Sequence, residues 1–326
     1  MKLTFEQIKS VTVGAVKINA ESDGIHFHKC TEKQEKAWAA LNANTLGPRS
    51  LATTGIRLDF HTNSKSIRFS ASSGNKFELY INGIHRKIFR MNDLCDAGEI
   101  PTADITDPLG MPLDEARITL YFPAHSMGVL EYVELDDGAT VIPHKFDCNM
   151  LFIGDSITQG WDSTYDSLSY AQCVSRFFNA NSVIHGVGGG YYHDTIFDSI
   201  DFNPDTVVVA FGTNDFSHYK TIEEFRYHCS AFLKSISEEY ANVKNNIFVI
   251  SPIWRADYLT KNAAMGSFAD CRGVVIDTAL KYGLNHIDGL ELVPTCETLM
   301  ADGFLHPNTA GFGQYALNLI SKLTNR

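Results

Sequence analysis

Short segments in which apolar and polar residues alternate dominate the first 147 positions of the chain. The alternation is clear in 56–60 and 67–69 and is typical of strands that bury one face. Asn82-Gly83 lies between two apolar runs, which is the signature of a short hairpin. The pattern predicts strands at 55–62, 66–70, 76–81, 84–90, 117–122 and 129–135. Short antiparallel strands of this kind predict a β-sandwich, with residues 32–42 as a helical insertion.

From residue 148 onward, strand-like and helix-like patterns alternate. Apolar, β-branched runs predict strands at 150–153, 182–185, 206–211, 247–251 and 284–287. Helical periodicity predicts helices at 167–178, 221–240, 265–282 and from 308 onward. Such alternation predicts a parallel sheet with helices on both faces. With 326 residues, the chain is long enough for two domains. We predict a jelly-roll-like β-sandwich at 1–147 and a flavodoxin-like, three-layer α/β/α domain with a five-stranded parallel sheet at 148–326.

Four short polar or glycine-rich blocks occur after predicted strands or near the C-terminus. They are GDSITQG at 154–160, GVGGG at 186–190, GTND at 212–215 and DGFLHP at 302–307. Each block alone has a structural explanation, such as a helix cap, a tight turn or a satisfied loop. In an open parallel sheet, however, the carboxyl ends of the strands meet at the ligand-binding edge. The four blocks together therefore predict one reactive site.

The residue types in these blocks match the requirements of ester cleavage. That reaction needs a nucleophile, a base, a group that orients the base and donors for the developing oxyanion. Ser156 supplies a hydroxyl, and His306 follows an acid, Asp302, in a turn-rich loop. Asp302 would hold the imidazole in the correct tautomer. The N–H groups of Ser156 and Gly189 and the amide of Asn214 would bind the oxyanion.

The four blocks resemble the signatures of the SGNH (GDSL) hydrolase superfamily. Ser156, Gly189, Asn214 and His306 match its four signature positions, and the resemblance covers roughly residues 148–326. It implies that the serine is the nucleophile, the histidine is the base, and the glycine and asparagine complete the oxyanion hole. The preceding sandwich resembles the N-terminal jelly-roll-like module of some carbohydrate esterases.

Two assignments within the resemblance stay open. The family pattern is Asp-x-x-His, whereas three residues separate Asp302 from His306. Either Asp302 still reaches the imidazole or another acceptor, such as a backbone carbonyl, orients His306. Spacing alone selects Gly189 over its neighbours Gly188 and Gly190.

Aromatic and polar residues just past the strand ends suggest the substrate. Their combination suits the face of a sugar, so we predict substrate contacts for Trp161, Tyr191, Tyr192, Asp215 and Trp254. No long apolar lid segment is evident, which favours a short acyl group, acetyl above all, on a carbohydrate or similar small molecule. The alternatives are an acyltransferase with an alcohol acceptor and a lipase- or thioesterase-type acylhydrolase. A carbohydrate-binding protein with an inactive hydrolase fold is the least favoured reading.

Composition narrows the class of partner. The net charge is −11, from 27 Lys+Arg and 38 Asp+Glu, which disfavours nucleic acid and anionic membranes as partners. The seven cysteines form no C-x-x-C pair, and the start of the chain lacks the apolar core of a signal peptide, so we expect reduced thiols and a cytoplasmic protein. This chemistry requires neither a metal nor an organic cofactor. The sequence gives no indication of the oligomeric state.

Overall fold

The computed structural model describes residues 1–325 and divides them into two compact units. The first unit comprises 1–29 and 51–146, and the second comprises 30–50 and 147–325. The sequence-based division placed 30–50 with the sandwich, whereas this segment packs with the second unit. Hydrophobic periodicity cannot reveal this, because it reports that a helix has a buried face and not which unit covers it.

The helices and strands are numbered in chain order. The helices are α1 Phe5–Val11, α2 Glu32–Leu41, α3 Leu46–Leu51, α4 Met91–Ala97, α5 Ser156–Gln159, α6 Tyr170–Phe177, α7 Asp215–His218, α8 Ile222–Glu239, α9 Phe268–Lys281 and α10 Thr309–Thr324. The strands are β1 Thr12–Val13, β2 Lys17–Glu21, β3 Gly24–His28, β4 Arg57–Thr62, β5 Ser66–Ser73, β6 Lys76–Ile81, β7 Ile84–Arg90, β8 Thr102–Asp104, β9 Ala116–Tyr121, β10 Val129–Leu135, β11 Ile142–Pro143, β12 Cys148–Gly154, β13 Ala180–Gly186, β14 Thr206–Ala210, β15 Ile247–Ile250, β16 Asn262–Ala263, β17 Gly266–Ser267 and β18 Asn285–Ile287. Short 3₁₀ turns occupy Asp166–Leu168, Ala241–Asn246, Gly289–Glu291 and Glu297–Leu299.

The first unit contains two antiparallel sheets. One has the order β1-β4-β9-β6-β7, with β11 beside β4, and the other has the order β2-β3-β10-β5-β8. Inward-facing residues of both sheets form one core, which includes Phe27, Phe60, Phe69, Phe77 and Leu120. The predicted hairpin is confirmed, because β6 pairs with β7 and Asn82 and Gly83 both adopt positive φ, as this turn requires. The antiparallel N-terminal part of the predicted fold is therefore present.

The second unit contains the predicted five-stranded parallel sheet. Its order is β13-β12-β14-β15-β18, which is the flavodoxin-like order for strands taken along the chain. The central strands are almost wholly buried, as in Val207–Val209, because helices cover both faces of such a sheet. The helix predicted at 265–282 begins later, at Phe268, because a small hairpin of β16 and β17 precedes it.

Capping residues define several helices of this unit. Thr31 and Gln34 form a capping box at the start of α2, and the side chain of Thr221 caps α8. Asn308 caps α10 directly after the DGFLHP block. Within residues 1–325, no helix combines the length and apolar character that crossing a lipid bilayer requires.

Candidate active site

Ser156 begins a short helix at the carboxyl end of the central strand β12. Asp155 caps this helix by accepting a hydrogen bond from the N–H of Ile157 at 2.9 Å. The carboxyl of Asp155 is 2% exposed, and burial raises its pKa to about 7. The cap fixes the sharp turn from strand to helix, so Ser156 lies at the sheet edge with its backbone N–H in the first helical turn, where intrahelical acceptors are absent.

A chain of hydrogen bonds joins the serine, the histidine and the acid. Ser156 Oγ lies 2.9 Å from His306 Nε2, and His306 Nδ1 lies 2.9 Å from Asp302 Oδ2. A carboxylate only accepts hydrogen bonds, so the proton of the neutral imidazole belongs on Nδ1. This tautomer leaves the lone pair of Nε2 facing the serine hydroxyl. The geometry is that of a nucleophile, a base and an orienting acid.

The unusual spacing between Asp302 and His306 is accommodated by a tight loop. Oδ1 of Asp302 accepts hydrogen bonds from the N–H groups of Phe304 at 2.8 Å, Leu305 at 2.7 Å and His306 at 3.1 Å. This leaves Oδ2 for the imidazole. Burial acts to raise the pKa of Asp302, but the backbone donations outweigh it and the pKa lies below its ordinary value. An ionised acid therefore faces His306 despite the additional residue in the loop.

A second carboxylate, which the sequence reasoning missed, also faces the imidazole. Oδ2 of Asp162 lies 3.5 Å from His306 Nδ1. Asp162 adopts a positive φ of 67°, a conformation that aspartate tolerates better than most residues. Nothing in the local sequence distinguishes Asp162 from an ordinary turn residue. His306 thus lies beside two acids, and Asp302 makes the shorter contact.

The glycine block supplies one backbone donor. The N–H of Gly188 donates to Gln159 Oε1 at 2.7 Å, and the N–H of Gly190 donates to the Val187 carbonyl at 2.8 Å. Within residues 1–325, the N–H of Gly189 donates to no protein acceptor. Gly189 has φ of 80°, which favours glycine. Hydrogen bonding therefore distinguishes Gly189 from Gly188 and Gly190, and its place in an oxyanion hole stays a prediction.

Asn214 lies beside this loop, at the end of the next strand. Its Nδ2 donates to the carbonyl of Gly190 at 2.9 Å, which fixes the orientation of the amide. An amide nitrogen carries two hydrogens, so a second N–H remains for a ligand. The structure thus brings Ser156, Gly189, Asn214, Asp302 and His306 together at one edge of the parallel sheet.

The five residues predicted to contact substrate divide into two groups. The ring of Trp161 is half-buried, and its centroid lies 6.4 Å from that of His306. Tyr191 stacks on His218 with centroids 3.8 Å apart and is 7% exposed. Tyr191 is thus buried as well, and the remaining three lie deeper in the interior: Tyr192, Asp215 and Trp254.

Each interior residue has a packing or structural role that corrects its predicted one. Tyr192 packs against Phe211 and Phe232. Asp215 accepts a hydrogen bond from the N–H of Tyr192 at 2.9 Å, and burial raises its pKa well above the ordinary value. The indole N–H of Trp254 donates to the carbonyl of Pro294 at 2.8 Å. Aromatic residues past strand ends serve packing as readily as binding, so sequence position did not separate these roles.

Three groups of His, Asp or Glu residues within residues 1–325 have donor atoms close enough to suggest a metal site: Glu21, Asp23 and His26; Asp162, Asp302 and His306 of the active site; and a cluster with two histidines. His193, Asp194 and His228 place three such atoms within 4.8 Å of one another. The imidazoles of His193 and His228 are stacked, however, with centroids 4.2 Å apart and planes 20° apart. Their in-plane lone pairs therefore run side by side and do not converge on one ion. Burial, and then the neighbouring His228, lowers the pKa of His193.

Comparisons with known proteins give a family match and several solved structures of similar fold. Residues 152–313 match the GDSL-like lipase/acylhydrolase family. The salicylyl-acyltransferase SsfX3 from a tetracycline biosynthetic pathway aligns with a TM-score of 0.75 and 18% identity, over 94% of this chain and 92% of that one. A family two carbohydrate esterase from Clostridium thermocellum, in complex with cellohexaose, aligns with a TM-score of 0.66 and 17% identity, over 96% and 98%.

A third solved structure also aligns over nearly the whole chain. An acetyl xylan esterase from the rumen bacterium Butyrivibrio proteoclasticus aligns with a TM-score of 0.58 and 15% identity, over 94% of this chain and 97% of that one. At such identities the likeness establishes the fold. No curated protein sequence matches the chain.

Proposed function

We propose, from the premise that residues 152–313 belong to the GDSL-like lipase/acylhydrolase family, that the protein is a serine esterase. The proposed substrate is a short acyl ester, O-acetyl above all, of a carbohydrate or similar small molecule. The observation that carries the proposal is the continuous hydrogen-bonded series Ser156–His306–Asp302. Gly189 and Asn214 stand beside it with N–H groups available for an oxyanion.

The first half-reaction transfers the acyl group to the enzyme. His306 Nε2 accepts the proton of Ser156 while Oγ attacks the ester carbonyl carbon. The resulting oxyanion accepts hydrogen bonds from the N–H groups of Ser156 and Gly189 and from the amide of Asn214. Asp302, held ionised by its backbone donors, stabilises the imidazolium. Collapse breaks the bond to the leaving alkoxide, which takes the proton from Nε2 and departs as the alcohol.

The second half-reaction releases the acid. A water molecule gives a proton to His306 Nε2 and attacks the acyl carbonyl, with the same donors around the oxyanion. When this second tetrahedral intermediate collapses, Ser156 Oγ leaves and recovers its proton from the imidazolium. The free acid and the original enzyme result.

The proposed acyl chain length and the proposed sugar depend on the residues around the triad. Trp161 forms a wall beside His306, and aromatic faces pack well against sugar rings. The fold likeness extends to enzymes described as a family two carbohydrate esterase and an acetyl xylan esterase, which supports an acetylated sugar as the substrate class to test first.

Transfer to an alcohol acceptor is the second candidate. The structural likeness to a salicylyl-acyltransferase, with a TM-score of 0.75, favours its inclusion, because transfer and hydrolysis share the acyl-enzyme. Product analysis with increasing concentrations of added alcohols separates the two. Hydrolysis predicts free acid as the main product, whereas transfer predicts that a new ester replaces it.

The proposal is tested with a panel of acetylated sugars and of p-nitrophenyl esters of increasing chain length. Wild type and Ser156→Ala are assayed in parallel. We expect the highest kcat/KM for acetyl esters and nearly complete loss of activity in the variant. Rates that rise from acetyl to octanoyl would contradict the short-chain assignment, and an active Ser156→Ala protein would contradict the serine mechanism.

A further inference from the structure

The glycine block contacts an arginine from a distant part of the chain. Arg49 lies in α3, within the segment 30–50 that packs in the second unit. Its Nη1 donates to the carbonyl oxygen of Gly188 at 2.9 Å. The same guanidinium lies over the ring of Trp161, 4.8 Å from the centroid. Arg49 is half-buried. Through these two contacts it links the glycine block to Trp161, which lies beside His306.

The bond to Gly188 determines where the N–H of Gly189 points. The carbonyl of Gly188 and the N–H of Gly189 belong to one peptide unit, which is trans and planar. In a trans peptide the C=O and N–H bonds point in opposite directions. Because Arg49 holds the carbonyl on one side, the N–H is directed to the other side and stays available to a ligand.

The neighbouring peptide units have anchors of their own. Gln159 accepts from the N–H of Gly188, and Asn214 donates to the carbonyl of Gly190. The peptide between Gly188 and Gly189 instead accepts a hydrogen bond from Arg49, at the Gly188 carbonyl. Glycine permits a peptide to rotate where other residues resist it, so a glycine-flanked unit needs such an anchor to stay preorganised.

The charge of Arg49 adds to this orientation. A cation at the carbonyl oxygen polarises the peptide, and hydrogen bonds along such a chain strengthen one another. The N–H of Gly189 becomes a better donor to a developing oxyanion as a result. The side chain of Arg49 reaches the carbonyl side of this peptide, so it acts through Gly189 and does not itself bind the oxyanion.

We propose that Arg49 is a positioning residue that holds the oxyanion-binding N–H of Gly189 in place. This inference rests on the proposed esterase function. It assigns the segment 30–50, which interrupts the sandwich in sequence, a role in the chemistry of the second unit. It also predicts that Arg49 affects the transition state more than substrate binding, because the oxyanion exists only in the former.

The test compares Arg49→Ala, Arg49→Lys and Lys33→Ala for hydrolysis of p-nitrophenyl acetate. Loss of one oxyanion donor typically lowers kcat by about 100- to 1000-fold, so we expect Arg49→Ala to lose about 10- to 1000-fold in kcat with little change in KM. Arg49→Lys keeps a charged donor and should recover part of the loss. Lys33 lies in the same segment, is exposed and pairs with Asp198; its variant should match wild type.

Added guanidinium ion distinguishes loss of the Arg49 hydrogen bond from a general loss of packing, because it can replace only the former. At concentrations below those that unfold the protein, it should restore part of the kcat of Arg49→Ala, whereas KCl at equal ionic strength should not. Asn214→Ala serves as the comparison and should gain nothing from guanidinium. A boronic acid, which mimics the tetrahedral intermediate, should bind Arg49→Ala more weakly by about the same factor as kcat/KM falls.

The outcomes separate the two proposals. Wild type without Ser156-dependent ester cleavage would refute the esterase itself. Wild type with that activity, but with Arg49→Ala at an unchanged kcat, would refute the role of Arg49 alone. The role of Arg49 would also be refuted by a loss of kcat/KM in Arg49→Ala that comes from a higher KM. In that case guanidinium would not restore activity, and Arg49→Lys would be no more active than Arg49→Ala. If Arg49→Ala does not fold, the kcat of folded Arg49→Lys decides: it should fall below wild type with KM little changed.

Discussion

At the scale of single residues, the contacts around His306 show how residues from separate sequence motifs form one site. Ser156 and His306 are 150 positions apart in sequence, yet their atoms lie within hydrogen-bonding distance. Ser156 lies just past the end of β12, and His306 lies in the loop just before α10. The topology of a parallel sheet determines which loops meet at its carboxyl edge. The sequence motifs could therefore be predicted to lie close together.

The two acids beside His306 predict non-additive effects of substitution. Removing the orienting acid of a triad costs up to about 10⁴-fold in kcat. We expect Asp302→Ala to lose less than that, because Asp162 lies 3.5 Å from the same nitrogen and can orient the imidazole. The double variant Asp302→Ala/Asp162→Ala should lose the remainder, while Asp162→Ala alone should change kcat little. Equal kcat values for Asp302→Ala and the double variant would show that Asp162 gives no support.

Asn214 allows a separate test of the oxyanion hole. We expect Asn214→Ala to lower kcat by about 100- to 1000-fold and to leave KM nearly constant. Because Asn214 also anchors Gly190, circular dichroism and thermal unfolding should accompany the kinetics. A folded variant with wild-type kcat would remove Asn214 from the oxyanion hole.

At the scale of secondary-structure elements, the turn from β12 into α5 contains a buried acid. Asp155 has a pKa raised from 3.8 to about 7 by burial. Between these two values the unfolded chain releases this proton while the folded chain retains it. The unfolded state then binds fewer protons, so this group lowers the stability of the fold as pH rises from about 4 to about 7.

Asp155→Asn tests this reasoning, because asparagine also caps helices and carries no titratable proton. We expect the variant to lose less stability than wild type between pH 4.5 and pH 7.5, as measured by urea unfolding at both values. Burial is the main cause of the raised pKa of Asp215, and the charge of Asp155 raises it further, so the substitution also reduces the loss of stability through Asp215, in the same direction. An identical pH dependence in wild type and Asp155→Asn would contradict the assignment.

Local sequence patterns predicted helices and strands better than they predicted which side chains are in contact. The alternation in 56–60 and the periodicity of 221–240 correctly predicted β4 and α8, since burial of one face is written into the spacing. Arg49 and Asp162 were missed, because what distinguishes them is their contacts with Gly188 and His306, which no local pattern shows. Tyr192 and Trp254 were misassigned because a buried aromatic and an exposed one look alike in sequence.

At the scale of the whole molecule, the net charge of −11 predicts that the protein disfavours anionic substrates. Anionic esters should be repelled over distances up to the Debye length, about 10 Å at 0.1 M salt. We expect the kcat/KM of an ester with a free carboxylate, such as a succinyl ester, to rise as NaCl is added. The kcat/KM of neutral p-nitrophenyl acetate should stay constant. A salt response of the same size for both esters would show that charge does not select the substrate.

The central claim is that the acyl group passes through Ser156. Its most direct test is mass spectrometry of protein mixed with p-nitrophenyl acetate and quenched with acid within the first turnover. We expect wild type to gain the mass of one acetyl group, on the peptide that contains Ser156, and Ser156→Ala to gain none. Acetylation of another residue at the turnover rate, or turnover in Ser156→Ala at the wild-type rate, would contradict it.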